Sequence, residues 1–241
     1  MTVTAQPVPI LSDNYAWLLR EDSSGAIAIV DPAEGAPIIA AIEDAGGRLD
    51  LILLTHHHGD HIAATDEVRA RFPAPVVGAA ADAHRLPRLD QTVKEGDKVQ
   101  FGNAIARVID TPGHTRGQIN YFFPDGEVLL AGDTLFSLGC GRLIEGTPAE
   151  MFASLRKLAA LPGSTKVCAG HEYTEANAKF ALSVDADNPA LRAMAEQVRR
   201  LRAAGRPTLP SLLADELKAN PFLTAPDVAS FADLRARKDR F

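Results

Sequence analysis

Apolar positions in the first 170 residues come in short runs that stop abruptly at polar or small residues, and they alternate with longer segments of helical period. YAWLLRE (15–21), AIAIVDP (26–32) and DLILLTH (50–56) read as strands. APIIAAIEDAGG (36–47) and HIAATDEVRARF (61–72) read as helices. A second group of strands follows in DKVQF (97–101), AIARVID (104–110), QINYFF (118–123) and EVLLAGD (127–133). A helix over PAEMFASLRKLAAL (148–161) and a strand over TKVCAG (165–170) complete the pattern. Strand-rich stretches with helices between them predict an α/β architecture of layered sheets flanked by helices.

After residue 172 the strand signal stops and the remainder reads as helices. NPALRAMAEQVRRLRAAG (188–205) opens with Asn188 as an N-cap before Pro189 and closes at Gly205. Charge changes there as well: residues 1–189 hold 15 basic and 25 acidic side chains, whereas 190–241 hold 10 basic and 6 acidic. The boundary is placed at residue 172, giving one domain over 1–172 and a small helical domain over 173–241.

Composition narrows the function classes. The chain has 241 residues and a formal net charge of −6, which disfavours generic binding of phosphate backbones. No apolar run approaches the roughly 20 residues needed to span a bilayer, and MTVTAQPVPI lacks the basic and apolar regions of a signal peptide. Cys140 and Cys168 are too few for a disulfide framework, so a cytoplasmic setting is expected, with Cys168 buried in its strand and Cys140 in a glycine-rich loop. A monomer is expected, with neither nucleic acid nor membrane as partner.

Of seven histidines, four crowd into residues 56–61. Four imidazoles in six residues have no packing purpose and would repel one another once protonated. Moreover, LILLTHHHGDH, VIDTPGH, VLLAGD and KVCAGH are all apolar runs that end in metal-capable residues, and functional groups collect where strands stop. His56, His58, Asp60, His61, His114, Asp133 and His171 are therefore candidate ligands. Seven exceed what one zinc uses, about four ligands at most. In extended chain His56 and His58 point the same way and suit one ion, while Asp60 and His61 face another. His114 and His171 complete the sites, and Asp133, with two oxygens, can bridge ions about 3.5–4 Å apart. His57 points opposite to its neighbours and is expected to support them, and His84 is expected to be an ordinary hydrogen-bonded residue of the surface or core.

The THHHGDH run at 55–61, GH at 113–114, GDT at 132–134 and GH at 170–171 resemble the metallo-β-lactamase superfamily. DNY at 13–15, GCGRLIEGT at 139–147, GHEYT at 170–174 and the closing RARKDRF are similar to the glyoxalase II, or hydroxyacylglutathione hydrolase, branch. The resemblance spans essentially the whole chain and implies an αββα sandwich with a C-terminal helical domain. It assigns one metal to His56, His58 and His114, a second to Asp60, His61 and His171, and Asp133 to both. It also implies substrate contacts from Arg142, Tyr173, Arg235 and Lys238. One departure is Ile144, at a position often aromatic in that family.

The implied reaction is hydrolysis of S-D-lactoylglutathione and related 2-hydroxyacyl glutathiones to a 2-hydroxy acid and glutathione, the second step of methylglyoxal detoxification. Two divalent ions, zinc first and iron or manganese otherwise, would lower the pKa of a shared water toward about 7. The resulting hydroxide is the nucleophile, with Asp60 and Asp133 as its catalytic carboxylates, and no serine or cysteine nucleophile is required. Two alternatives use the same superfamily scaffold. A persulfide dioxygenase needs one iron and not the set Asp60, His61 and His171, and a nuclease needs a broad basic surface that an acidic body does not offer.

Overall fold

The computed structural model describes residues 2–241. Strand pairing sorts the apolar runs into two six-stranded sheets. The first contains β1 (Val3–Ile10), β2 (Asn14–Glu21), β3 (Ile27–Val30), β4 (Leu51–Leu53), β5 (Val76–Ala79) and β6 (Gln91–Val93), in that spatial order. Helix α1 (Gly35–Asp44) connects β3 to β4, and α2 (Gly59–Ile62) and α3 (Thr65–Arg71) connect β4 to β5. The second sheet contains β7 (Lys98–Phe101), β8 (Ala104–Asp110), β9 (Ile119–Phe123) and β10 (Val128–Gly132). A hairpin of β11 (Leu135–Phe136) and β12 (Gly139–Cys140) stands apart, followed by α4 (Pro148–Ala159) and by β13 (Lys166–Ala169), which returns to the second sheet. Helices α5 (Thr174–Val184) and α6 (Pro189–Ala203) precede β14 (Ser211–Leu212), and α7 (Leu213–Ala219), α8 (Pro221–Thr224) and α9 (Val228–Lys238) end the chain.

Both faces of each sheet are covered, which explains the near-continuous apolar runs. In β2, Trp17 and Leu19 face the inter-sheet core with Val30, Leu53, Phe101, Tyr121 and Leu130. Ala16 and Leu18 face the other way, toward Ile38 and Ile42 of α1 and Val68 of α3. On the outside of the second sheet, Phe122 and Leu129 pack with Met151 and Leu155 of α4 and with Phe222 and Phe231 of the tail. The layers therefore run helix, sheet, sheet, helix, as expected from the sequence.

Several details differ from the sequence reading. β1 carries Pro7 and Pro9, which hide a strand, yet it is the edge strand of its sheet, where missing N–H groups are tolerated. β6 is three residues long with two of them exposed, so no apolar pattern marks it. The single helix expected over 61–72 is two, α2 and α3, separated at Ala63–Ala64. The tail is not wholly helical: Ser211 and Leu212 pair antiparallel with Val167 and Lys166 of β13. The N-cap holds, with the Asn188 side chain accepting from the N–H groups of Ala190 and Leu191.

Candidate active site

The candidate ligands lie where strands from both sheets stop. His56 and His58 follow β4, Asp60 and His61 lie on α2, His114 follows β8, Asp133 follows β10 and His171 follows β13. The structure brings all seven together at one edge of the sandwich. Nδ1 of His58 is 3.2 Å from Nε2 of His56 and 3.0 Å from Nε2 of His114. Nε2 of His61 is 3.4 Å from Nε2 of His171, and the latter is 3.4 Å from Oδ2 of Asp60. These are two groups of three donors, each compact enough to hold one ion.

Asp133 stands between them. Its Oδ1 is 3.4 Å from Nε2 of His61, and its Oδ2 is 3.4 Å from Nε2 of both His114 and His171. Oδ1 is buried without a hydrogen-bond partner, a costly state for a carboxylate oxygen and the one expected of an oxygen reserved for a cation. The donor set of five imidazoles and two carboxylates suits zinc, iron or manganese, so the residues fit a divalent metal centre.

The second nitrogen of most of these rings is already engaged. Nδ1 of His56 meets Thr55 Oγ1 at 3.0 Å, Nδ1 of His61 meets Asp31 Oδ2 at 3.0 Å, and Nδ1 of His171 meets Asp13 Oδ1 at 2.9 Å. Nδ1 of His114 donates to the carbonyl of Arg142 at 2.9 Å. Each contact fixes a ring and its tautomer so that the other nitrogen faces the cluster. Sequence reasoning missed Asp31 and gave no role to Asp13 and Asn14 of the DNY motif; Asn14 Nδ2 donates to the carboxylate and carbonyl oxygens of Asp60 at 3.1 Å. A signal for Asp31 was present: AIAIVDP is another apolar run ending in a carboxylate. His57, as expected, turns away, with Nδ1 3.0 Å from Asp82 and Nε2 3.5 Å from Glu145.

Electrostatics divide the cluster. Burial lowers the pKa of His56, His58 and His114, keeping those rings neutral and able to donate a lone pair. For His61 burial acts the same way, but Asp133 and Asp31 outweigh it and push the ring up to about 9. Burial opposes charge on Asp133, yet His61 and His171 hold its carboxyl well below the usual carboxylate range.

A cavity of about 560 Å³ opens beside this cluster. Arg142, Tyr173, Arg235 and Lys238 all line it, together with Cys140 and Ile144. Tyr173 stacks on the His171 ring at 4.5 Å, and burial raises its phenol to about 12, leaving an O–H donor at neutral pH. Burial, with Arg235 and Arg142 nearby, lowers the Lys238 ammonium, whose Nζ donates to the Ala176 carbonyl at 3.0 Å. Arg235 is only 4% exposed, and its guanidinium donates to the Cys140 carbonyl at 2.9 Å and to Asp239 at 2.8 Å. Cys140 is buried and its thiol is raised to about 11 by burial, so it lines the cavity as a neutral group. Cys168 is buried too, and His84 is exposed.

Comparison with known proteins agrees with this geometry. Residues 11–171 match the family model of the metallo-beta-lactamase superfamily, and 172–241 match that of the hydroxyacylglutathione hydrolase C-terminus. A protein of Acidiphilium cryptum named hydroxyacylglutathione hydrolase is 57% identical over 99% of this chain and 97% of its own length. Among solved structures, ETHE1 from Myxococcus xanthus superposes with a TM-score of 0.72 at 24% identity, over 98% of this chain and 90% of that one. TTHA1623, crystallised in a di-iron-bound form, superposes with a TM-score of 0.60 at 28% identity, over 69% of this chain and 91% of that one. The chain belongs to the metallo-beta-lactamase superfamily and, within it, to the hydroxyacylglutathione hydrolases.

Proposed function

We propose that this chain hydrolyses S-D-lactoylglutathione and related 2-hydroxyacyl glutathiones to the 2-hydroxy acid and glutathione, the second step of methylglyoxal detoxification. The observation that carries this reading is one cavity lined on one side by five of the seven candidate ligands, His58, Asp60, His114, Asp133 and His171, and on the other by Arg142, Tyr173 and Lys238. The name of the Acidiphilium cryptum relative supports the substrate class.

His56, His58 and His114 would hold one divalent ion, Asp60, His61 and His171 a second, and Asp133 would bridge both. TTHA1623 in its di-iron-bound form supports the two-ion count, with zinc the first choice here and iron or manganese the others. Such ions supply Lewis-acid activation of water and of the thioester carbonyl.

The chain's own groups do the rest. Burial opposes ionisation of Asp60, but His61, Asn14 and His171 lower its pKa, so its carboxylate accepts a hydrogen bond from the attacking water. Attack at the thioester carbonyl breaks the C–S bond, and the leaving thiolate, ordinary pKa about 8.5, departs without needing a strong acid. Arg142 and Lys238 hold glutathione carboxylates by charge-assisted hydrogen bonds, and the Tyr173 O–H donates to the tripeptide. Arg235 adds positive charge to that wall of the cavity while its donors remain on Cys140 and Asp239.

The ligands lie within 1–172, whereas Tyr173, Arg235 and Lys238 lie within 173–241, which supports a catalytic domain and a helical substrate-binding domain divided there. Among the described residues no helix is long and apolar enough to cross a membrane. Two buried thiols suit the cytoplasm, and we assign the chain there as a monomer. A single-iron dioxygenase leaves the Asp60, His61 and His171 group without a use, and a nuclease lacks its basic surface, so neither alternative is favoured.

The test is release of free thiol from S-D-lactoylglutathione by purified protein, beside a short thioester lacking the tripeptide. Faster turnover of the glutathione thioester is expected. No thiol release by fully metallated protein would overturn the assignment.

A further inference from the structure

The β11–β12 hairpin carries Phe136, Cys140 and, just beyond it, Arg142 into the cavity, yet it is held by only two paired positions, Leu135 with Cys140 and Phe136 with Gly139. So short a hairpin is not stable by itself. Residues 135–140 are all buried, so their backbone groups require protein partners. Those partners come from the C-terminal helices. Nδ2 of Asn220 donates to the carbonyls of Gly139 at 3.0 Å and Phe136 at 3.1 Å. Oε2 of Glu216 accepts from the N–H of Leu138 at 2.8 Å and lies 3.1 Å from Asn220 Nδ2. Leu138 sits at φ 56°, a conformation that a side chain with a Cβ keeps only when its surroundings impose it.

Beyond the hairpin the chain is equally constrained. A Cβ on Gly141 would collide with the backbone carbonyl oxygen of Asp133, so this residue must be glycine for the loop to pass against the Asp133 backbone. The next residue, Arg142, is tied through its carbonyl to His114. Arg142 thus hangs between an anchor on the metal cluster and one on the tail.

We infer that Asn220 and Glu216 are positioning residues that fix Arg142 for substrate through the buried β11–β12 turn. They do not line the cavity themselves. The inference rests on Arg142 contacting the glutathione part of the substrate.

The experiment is a double-mutant cycle on the metallated enzyme, measuring kcat and KM for S-D-lactoylglutathione and for the short thioester. Asn220→Ser keeps an oxygen to cap the Phe222 N–H of α8, which Asn220 Oδ1 now accepts at 3.1 Å, and removes the amide donors. Its KM for the glutathione thioester should rise about three- to tenfold with kcat within about twofold, the signature of lost uniform binding. In an Arg142→Ala background the same substitution should add almost nothing, because both act through one contact. Glu216→Gln, which retains an acceptor for Leu138, should show the same coupling more weakly and serves if Asn220→Ser does not fold. A KM effect that persists undiminished without Arg142, or an unchanged KM in folded variants of both residues, would overturn the inference. If Arg142→Ala by itself leaves KM unchanged, the substrate contact fails and the positioning role falls with it, whereas thiol release still speaks for the hydrolase.

Discussion

His61 and His171, 110 residues apart in the chain, bring their Nε2 atoms within 3.4 Å of each other. Two imidazoles so placed, with Asp133 on one side and Asp60 on the other, are joined by a shared cation more readily than by each other. Elemental analysis of purified protein should therefore find close to two ions per chain. Asp60→Ala should lower that toward one, and Asp133→Ala should weaken both sites. Saturation at one ion with full activity would contradict this.

Asp31 does not line the cavity, yet it holds His61 through Nδ1 and also accepts from the Thr55 N–H and hydroxyl. Asp31→Ala should cost about 10- to 100-fold in metal affinity at the second site, measured by chelator competition. Affinity equal to wild type would show that the ring needs no such support.

Lys238→Ala should raise KM for glutathione thioesters several-fold with little change in kcat, and a short thioester should be indifferent. Arg235→Ala should behave differently. It removes a charged hydrogen bond to Cys140 and the stacking of the guanidinium over Phe222, so stability should fall by about 1–3 kcal/mol, read from urea unfolding.

An acid-stability comparison isolates Glu145. Arg85 beside it holds its carboxyl at about 2, against 4.5 for an ordinary glutamate. Because the folded value is the lower one, the stabilisation is fully present above pH 4.5 and is lost as pH falls toward 2. Glu145→Gln should remove that part of the pH dependence, so its unfolding free energy and that of wild type should converge with acidification. A constant difference across that range would refute the assignment.

Cys140 lines the cavity but its thiol is raised to about 11, so no acyl-enzyme should appear by mass spectrometry during turnover. Cys140→Ala should retain kcat.

The clustering of the candidate ligands was legible in the sequence because their spacing is local: THHHGDH places donors at fixed offsets, and the other runs end in a donor wherever a strand ends. Asp31 obeys the same rule, but an aspartate before proline reads equally well as a turn residue. Asp13 and Asn14 stand in the quoted DNY motif, but they reach the site because the start of β2 pairs with the segment after β13, where Asn14 bridges to His171, a contact between the two sheets that no local pattern records. The tail shows the same limit. Arg235 was legible through the closing RARKDRF motif, but its engagement by Cys140, 95 residues earlier, belongs to tertiary packing. Glu216 reads as an ordinary helix-surface glutamate and is wholly buried because the β11–β12 turn presents an N–H to it.

β14 is two residues long, but it occupies the open side of β13, the strand that delivers His171. An uncovered strand edge is a template for other chains. A chain cut after residue 172 would keep its seven ligands and lose this guard, and would meet its own copies edge to edge. The tail therefore closes a sheet edge as well as lining the cavity with Tyr173 and Lys238.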